Sequence, residues 1–419
     1  MQKIIFTLSL LIGMIYSAFA QNHPTCDGSR YVSEVFTSVD TTQSVLFGNN
    51  TTFGGVNQDL FMDVYEPQGD AAAMRPAIVL AFGGSFIGGE REDLDELCRF
   101  YAKRGFVAVT IDYRLYDGPL FPFPDSADIT DVVIKAVGDV KASIRFLRED
   151  AATTNTYKID PDMIFAGGIS AGAIATAHAA YLDSTDNIAA NEMTAIMNNG
   201  GYEGNSSTNA GLYSSEVQGV VSFSGALRDA AYIGVNSVPL FSVHDDMDGV
   251  VPYNGGNAQV FGVPIIYVEG SGLLAPQATN VGVANFLITI PSSNGHVSYF
   301  GPNAAQWKDS VSTTSASFVH DEVICPLISS VGALPTEFVA ADFYPNPADI
   351  DMVVAFETLP SAYTIVLYDN MGREVFQENE INTNRYVLTN ENFATGVYFV
   401  NIRFEDASIA PIQSKVIFR

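Results

Sequence analysis

Basic residues are scarce in this chain. Against 47 Asp and Glu stand only 20 Lys and Arg, a formal net charge of −27 over 419 residues. So few cations exclude nucleic acid and anionic membranes as partners, because both are bound through clustered Lys and Arg. The acidity is read as serving solubility. Cysteine is rarer still. Cys26, Cys98 and Cys325 are the only three, an odd number that leaves at least one outside any intramolecular pair. Their spacing fits no zinc site, and none stands beside a base that would make it a nucleophile. No metal or other cofactor is implied. Long apolar runs are absent beyond residue 20, so no segment of the mature chain is expected to span a bilayer.

The first twenty residues have a pattern of their own. Lys3 gives a positive start, Ile4 to Tyr16 an apolar core, and Ser17-Ala18-Phe19-Ala20 a small-x-small end. This is the pattern of a secretory signal peptide, cut before Gln21. The mature protein is expected to be soluble and exported. Outside the cell one disulfide is expected.

Apolar segments then alternate in period. Asp63-Val64-Tyr65, Ala77 to Ala81, Phe106 to Tyr113, Met163 to Ala166, Val217 to Ser224, Val238 to Val243, Val263 to Val268 and Phe286 to Ile290 read as strands. Ile129 to Arg148, Ala173 to Leu182 and Ala304 to Ile324 have helical spacing. Strands separated by helices predict an α/β fold with a mainly parallel sheet covered on both faces. Asp183 to Ser215, rich in Asn, Ser, Gly and Thr, interrupts the alternation as a loop or cap beside the site. After Pro326 the helical period disappears. Ser329 to Ala341 reads as a linker. Six short strand patterns between Met352 and Phe418, with turns between them, predict a small antiparallel immunoglobulin-like sandwich of about seven strands. The expected organisation is therefore residues 1–20 signal peptide, 21–328 catalytic domain, 329–341 linker and 342–419 β-sandwich.

One pentapeptide carries the chemistry. Gly168-Ile169-Ser170-Ala171-Gly172 lies between a strand and a helix. A serine on so sharp a turn projects its hydroxyl above the sheet, and flanking glycines let the backbone turn. Serine needs a base, a group to orient that base and donors for the oxyanion. Each is sought after the C-terminal end of a strand, where open parallel sheets place their sites. Adjacent glycines in Ala81-Phe82-Gly83-Gly84-Ser85-Phe86 leave main-chain N–H groups free to face a carbonyl oxygen, and the N–H of Ala171 supplies a further donor. Past the strand ending at Val243, three carboxylates compete for the acid: Asp245, Asp246 and Asp248. His296, in a polar turn after the last strand, is the candidate base. His23 is near the terminus, His178 and His320 lie in helices, and His244 is placed to shape the acidic loop.

The order nucleophile, acid, base is that of α/β-hydrolases. Residues from about Tyr65 to His320 resemble a carboxylesterase of that superfamily, near the hormone-sensitive-lipase and bacterial feruloyl/acetyl-esterase-like branches. Asp112-Tyr113-Arg114-Leu115 and Phe121-Pro122 resemble its D-Y-R-L and F-P stretches. His244 to Pro252 resembles its H-G-x-x-D-x-x-V-P loop, which puts Asp248 on the acid position. Gly84 and Ser85 fall on the second and third glycines of its H-G-G-G motif, whose N–H groups are oxyanion donors. Phe82 replaces the histidine of that motif, Ser85 its last glycine, and Asp245 the glycine of the acid loop. The fold so implied puts the helices carrying Cys98 and Cys325 on one sheet face. It favours that disulfide, with Cys26 paired to either as the alternative.

The C-terminal segment carries a second resemblance. Phe343-Tyr344-Pro345-Asn346-Pro347-Ala348, Tyr368 to Arg373, Phe393 to Phe399 and Lys415 to Phe418 resemble the Y-P-N-P, D-x-x-G-R/K, L-x-x-G-x-Y and K-x-x stretches of a type A sorting domain for type IX secretion. The resemblance implies export across the outer membrane, with the secretion machinery as partner of residues 342–419 and release or surface attachment afterwards. Together the two imply a secreted serine ester hydrolase acting through Ser170, Asp248 and His296, with Gly84, Ser85 and Ala171 holding the oxyanion. Its ester would come from polysaccharide or other extracellular material, such as acetylated or feruloylated plant polymer, a polyester or a lipid. The alternatives are a serine peptidase of prolyl-oligopeptidase type and a non-catalytic surface-binding protein on a hydrolase scaffold.

Overall fold

A computed structural model describes residues 29–206, 212–301, 304–325, 339–359, 361–369, 374–390, 394–406, 409 and 412–419. The signal peptide, Cys26, His23 and most of the linker lie outside them. The chain divides after Leu327 into two compact units.

The first unit is built on an eight-stranded sheet of β1 (Val39–Thr51), β2 (Asn57–Pro67), β3 (Arg75–Ala81), β4 (Val107–Ile111), β5 (Ile159–Ile169), β6 (Val220–Phe223), β8 (Leu240–Asp245) and β11 (Asn285–Ile290). Their order is β1-β2-β4-β3-β5-β6-β8-β11. From β4 to β11 every neighbouring pair is parallel, and β1 and β2 join antiparallel at one edge. Every residue of β3 and β4 is buried. A strand covered on both faces needs apolar side chains at successive positions, and this made Ala77 to Ala81 legible as a run. By contrast β1 is largely exposed and breaks register at two bulges. An edge strand of this kind carries no apolar period, which is why the sequence shows no signal for it.

Among the described residues six α-helices accompany the sheet: α1 (Asp95–Ala102), α2 (Ser126–Ala152), α3 (Ala171–Tyr181), α4 (Ala190–Asn198), α5 (Ser271–Asn280) and α6 (Ala305–Val319). The longest, α2, starts on Asp125, whose carboxylate accepts the N–H groups of Ala127 and Asp128, while Asp128 reaches back to the N–H of Asp125. This reciprocal cap extends the helix beyond its apolar period. It packs on α3, and α1 contacts α6.

Val263 to Val268 does not join the central sheet. It forms β10 (Val263–Gly270), which pairs antiparallel with β9 (Gly255–Val260) and with the short β7 (Ala226–Leu227). Phe261 and Gly262, both at positive φ, make the two-residue turn between β9 and β10. Such a turn matches the twist of an antiparallel hairpin. Only two residues of β10 are buried, as fits a hairpin on the surface rather than a central strand.

The expected Cys98–Cys325 pair does not form. Cys98 is a free, buried thiol on α1, and Cys325 is disulfide-bonded.

Among its described residues the second unit holds seven strands in two antiparallel sheets. β12 (Asp342–Tyr344), β13 (Asp351–Ala355) and β16 (Arg385–Thr389) form one, in the order β12-β13-β16. β15 (Glu374–Ile381), β14 (Tyr363–Tyr368), β17 (Gly396–Phe404) and β18 (Ile412–Phe418) form the other, in that order. Alternate residues such as Met352, Val354, Ile365, Leu367, Val400 and Ile402 point into its own core. That alternation is the period-2 signal of strands buried on one face.

Candidate active site

Four loops meet above the C-terminal ends of β3, β5, β8 and β11. The sharpest is at Ser170, which has φ 54° and ψ −117°. Its N–H is held by the carbonyl of Phe223 on the neighbouring strand. The glycines around it are required by contact as well as by turning. A Cβ on Gly172 would lie 2.0 Å from the carbonyl oxygen of Ala81, and one on Gly168 would lie 2.6 Å from the same atom. Only a backbone stripped of side chains lets β3, the turn and α3 approach so closely.

The Oγ of Ser170 is 2.7 Å from Nε2 of His296, and Nδ1 of His296 is 2.7 Å from Oδ2 of Asp248. The three residues, 126 and 48 positions apart, form one hydrogen-bonded chain. The carboxylate of Asp248 is fully shielded and the imidazole of His296 partly open. The other oxygen of Asp248 accepts the N–H groups of Val250 and Val251. Burial alone would raise the pKa of Asp248. Hydrogen bonds from His244 and His296, the field of His296 and the N–H of Val250 outweigh it and hold the group at about 2. An ionised carboxylate accepts, so Nδ1 of His296 carries the proton and Nε2 presents a lone pair to the hydroxyl.

The rival carboxylates have other work. Asp245 accepts the N–H and the hydroxyl of Ser298, and Asp246 accepts the N–H groups of Ser292 and Ser293. Both therefore fasten the acid loop to the loop carrying His296. Tyr299 locks the same segment from below, with its hydroxyl 2.9 Å from Oγ of Ser224. His244 is fully buried. Its Nε2–H donates to the carbonyl of Val251 at 2.9 Å and lies 3.4 Å from Asp248, while Nδ1 faces the hydroxyl of Ser271. Sequence reasoning assigned His244 to shaping the loop but missed its link to Asp248. Ser271 carried no signal at all.

His178 is packed in α3, donating from Nδ1 to the carbonyl of Ile174 and accepting the N–H of Arg228 at Nε2. Burial lowers its pKa. His320 pairs with Asp321 beyond the end of α6.

On the other side of Ser170 is the loop after β3. Gly84, Ser85 and Phe86 all have positive φ, at 125°, 57° and 60°. Among the described residues, no hydrogen bond takes up the N–H of Gly84, Ser85 or Ala171. A Cβ on Gly84 would meet the carbonyl oxygen of Gly88 at 2.1 Å. Phe82 stacks on Tyr113 with ring centroids 4.3 Å apart, Phe86 meets the same ring edge-on, and the hydroxyl of Tyr113 donates to the carbonyl of Phe82. The brace that a histidine would supply is thus made by ring packing and a tyrosine. The neighbours of Tyr113 are structural too. Asp112 binds Arg91, and Arg114 is buried against Asp139.

Ser170 opens onto a pocket whose walls are mostly apolar. They come from α2, α3, the β9–β10 hairpin, α4 with Ile188 before it, Arg228 and Tyr232, and the loops carrying Phe86 and Val250. Among the described residues no cluster of His, Cys, Asp and Glu is arranged to hold a metal ion, and no helix is long and apolar enough to cross a membrane.

The arrangement can carry out nucleophilic acyl transfer: a hydroxyl with a lone pair before it, a charge behind that base, and unused N–H donors on the far side. Residues 62–227 match the family model BD-FAE, and residues 342–418 match that of the secretion system C-terminal sorting domain. The first match takes in Ser170 and the loop after β3 but ends before Asp248 and His296. No curated protein matches the chain. Similar solved structures include an esterase from the planctomycete Thermogutta terrifontis, Est2. Its native form is 19% identical over 72% of this chain and 98% of that one, with a TM-score of 0.49. Its propionate-bound form is 21% identical over 64% and 91%, with a TM-score of 0.47. The same esterase phosphoramylated by tabun is 19% identical over 69% and 96%, with a TM-score of 0.49. The chain thus carries a segment similar to BD-FAE and, after it, one similar to the secretion system C-terminal sorting domain.

Proposed function

We propose that the protein is a secreted serine carboxylic-ester hydrolase with Ser170 as nucleophile, His296 as base and Asp248 as its orienting acid. The chain of two 2.7 Å hydrogen bonds from Ser170 to His296 to Asp248 carries this reading. Nε2 of His296 takes the proton of Ser170 as Oγ attacks the ester carbonyl. The N–H groups of Gly84, Ser85 and Ala171 hold the oxyanion. The protonated imidazole, steadied by Asp248, returns its proton to the departing alcohol. Water, deprotonated by the same nitrogen, then attacks the acyl-enzyme; the acyl–Oγ bond breaks, His296 returns the proton to Oγ of Ser170, and the acid is released. Protein groups and water account for every bond and proton in this sequence.

Residues 1–20 act as the export signal, 21–328 as the catalytic domain, 329–341 as the linker and 342–419 as the part the secretion machinery reads. Delivery to the outside favours an ester borne on polysaccharide or other extracellular material. The test is Ser170→Ala, assayed on a short-chain aryl ester and with an organophosphonate probe. The expected result is loss of nearly all turnover, on the order of 10⁴-fold or more, together with loss of labelling. Wild-type turnover in the variant would overturn the mechanism. Failure of the wild type to label would favour a binding protein on a hydrolase scaffold.

A further inference from the structure

The pocket beside Ser170 has a direction. Ser170, Ile174 and His178 all line it. They follow one another at intervals of four on α3, with the N–H of Ile174 bonded to the carbonyl of Ser170. They therefore stand on one face of the helix, and the lining runs along it for about 12 Å from Ser170 to His178 at 1.5 Å per residue. The remaining walls are branched aliphatics drawn from separate elements: Ile134 on α2, Ile188 and Ile196 on the segment with α4, and Ile266 and Val268 on β10.

Apart from Ser85, Ser170, Thr130 and Gln259, the polar lining gathers around His178. Its Nε2 is occupied by the N–H of Arg228, Tyr232 lies edge-on to its ring, and Arg228 is bonded to Glu192. These groups mostly satisfy one another, so they form an end wall rather than a charged subsite. An acetyl group would fill only the first turn of this space and leave the rest of the apolar lining without contacts.

Resting on the esterase reading above, we propose that the site is built for esters of medium-chain aliphatic acids. The acyl chain would lie along α3 from Ser170 towards the Glu192–Arg228–His178–Tyr232 wall. With C–C bonds of about 1.5 Å at a tetrahedral angle, an extended chain advances about 1.3 Å per bond, so roughly ten carbons span that length. The hairpin β9–β10 and the Asp183 to Ser215 segment are then specificity elements for the acyl side, and a feruloyl or acetyl group on a polymer is not the preferred substrate.

The experiment is a series of p-nitrophenyl esters from acetyl to dodecanoyl with the full mature chain, alongside Ser170→Ala and Ile188→Trp. Ile188 is only half-buried, so a larger ring there enters the pocket without being forced into the core. Wild-type kcat/KM should rise about fourfold per methylene up to roughly decanoyl and stop rising beyond it. Ile188→Trp should lower the octanoyl-to-acetyl ratio at least tenfold. A flat or falling series in the wild type overturns the proposal, as does an unchanged ratio in Ile188→Trp. Either result leaves the esterase reading intact if Ser170→Ala is inactive on every ester. Persistent turnover in Ser170→Ala instead defeats the esterase reading itself.

Discussion

The two sides of Ser170 are held in place by different forces. On the acid–base side the loops are tied by charge and hydrogen bonds: Asp245 to Ser298, Asp246 to Ser292 and Ser293, and His244 to Val251 and Ser271. On the oxyanion side there is almost no polar side chain. A stack of Phe82 on Tyr113, an edge contact from Phe86 and a run of positive-φ residues fix the backbone there. The difference follows from what each side must position. A base has to be oriented as a side chain, and polar partners set both its rotamer and its tautomer. Oxyanion donors are main-chain N–H groups, so close packing of the chain is enough to aim them.

Breaking the polar side at its centre should have the larger effect. In His296→Ala the hydroxyl of Ser170 loses its proton acceptor, and kcat is expected to fall on the order of 10⁴-fold or more. Steady-state kinetics on an aryl ester checks it, and unimpaired turnover would move the base to another histidine. On the oxyanion side, Gly84→Ala forces a Cβ to within 2.1 Å of the carbonyl oxygen of Gly88 at a φ of 125°. The loop must shift, and kcat should fall about 10²- to 10³-fold, the cost of a lost oxyanion donor. Gly88→Ala is the control, since a Cβ there meets nothing within 4 Å. Equal losses in both glycine variants would mean that general loop disorder, not donor placement, is being measured.

A third variant separates the electrostatics of the polar side from its chemistry. The pKa of Asp248 is lowered from 3.8 to about 2. A carboxylate with a depressed folded-state pKa stabilises the fold above its unfolded value, and that contribution is lost as the pH falls towards the folded one. Melting temperature should therefore drop more steeply in the wild type than in Asp248→Asn between pH 3.8 and about 2. Parallel curves would show that the hydrogen bonds around Asp248 do not favour its charged form.

The two sides also differed in how much of them a reader of the sequence could see. Ser170 and His296 were legible because each is a reactive residue type in a turn just past an apolar strand. The acid was harder. Asp245, Asp246 and Asp248 differ by one to three positions, and nothing local says which carboxylate turns towards an imidazole 48 residues later. Resemblance to a loop motif singled out Asp248, and the fold turns the other two to brace the neighbouring loop. Phe82 was visible as a departure, but not the reason it is tolerated, because its partner Tyr113 is 31 residues away and pairs with it only through the β3–β4 register. The pocket was the least legible part. Its walls come from elements scattered along the chain, and one of them, β10, has an apolar pattern that suits a central strand as well as a hairpin.

The smallest effect is the most discriminating for the packed side. Tyr113→Phe keeps the ring that stacks on Phe82 and removes only the hydroxyl that donates to its carbonyl at 2.8 Å. Both groups are buried, so the carbonyl is left without that donor, at a cost of about 1–2 kcal/mol in stability. If ring packing aims the backbone donors, kcat/KM should change less than about tenfold while the urea midpoint falls by an amount matching that cost. If turnover falls as far as in Gly84→Ala while stability is unchanged, the hydroxyl aims the loop. The packed side would then depend on a hydrogen bond just as the acid–base side does.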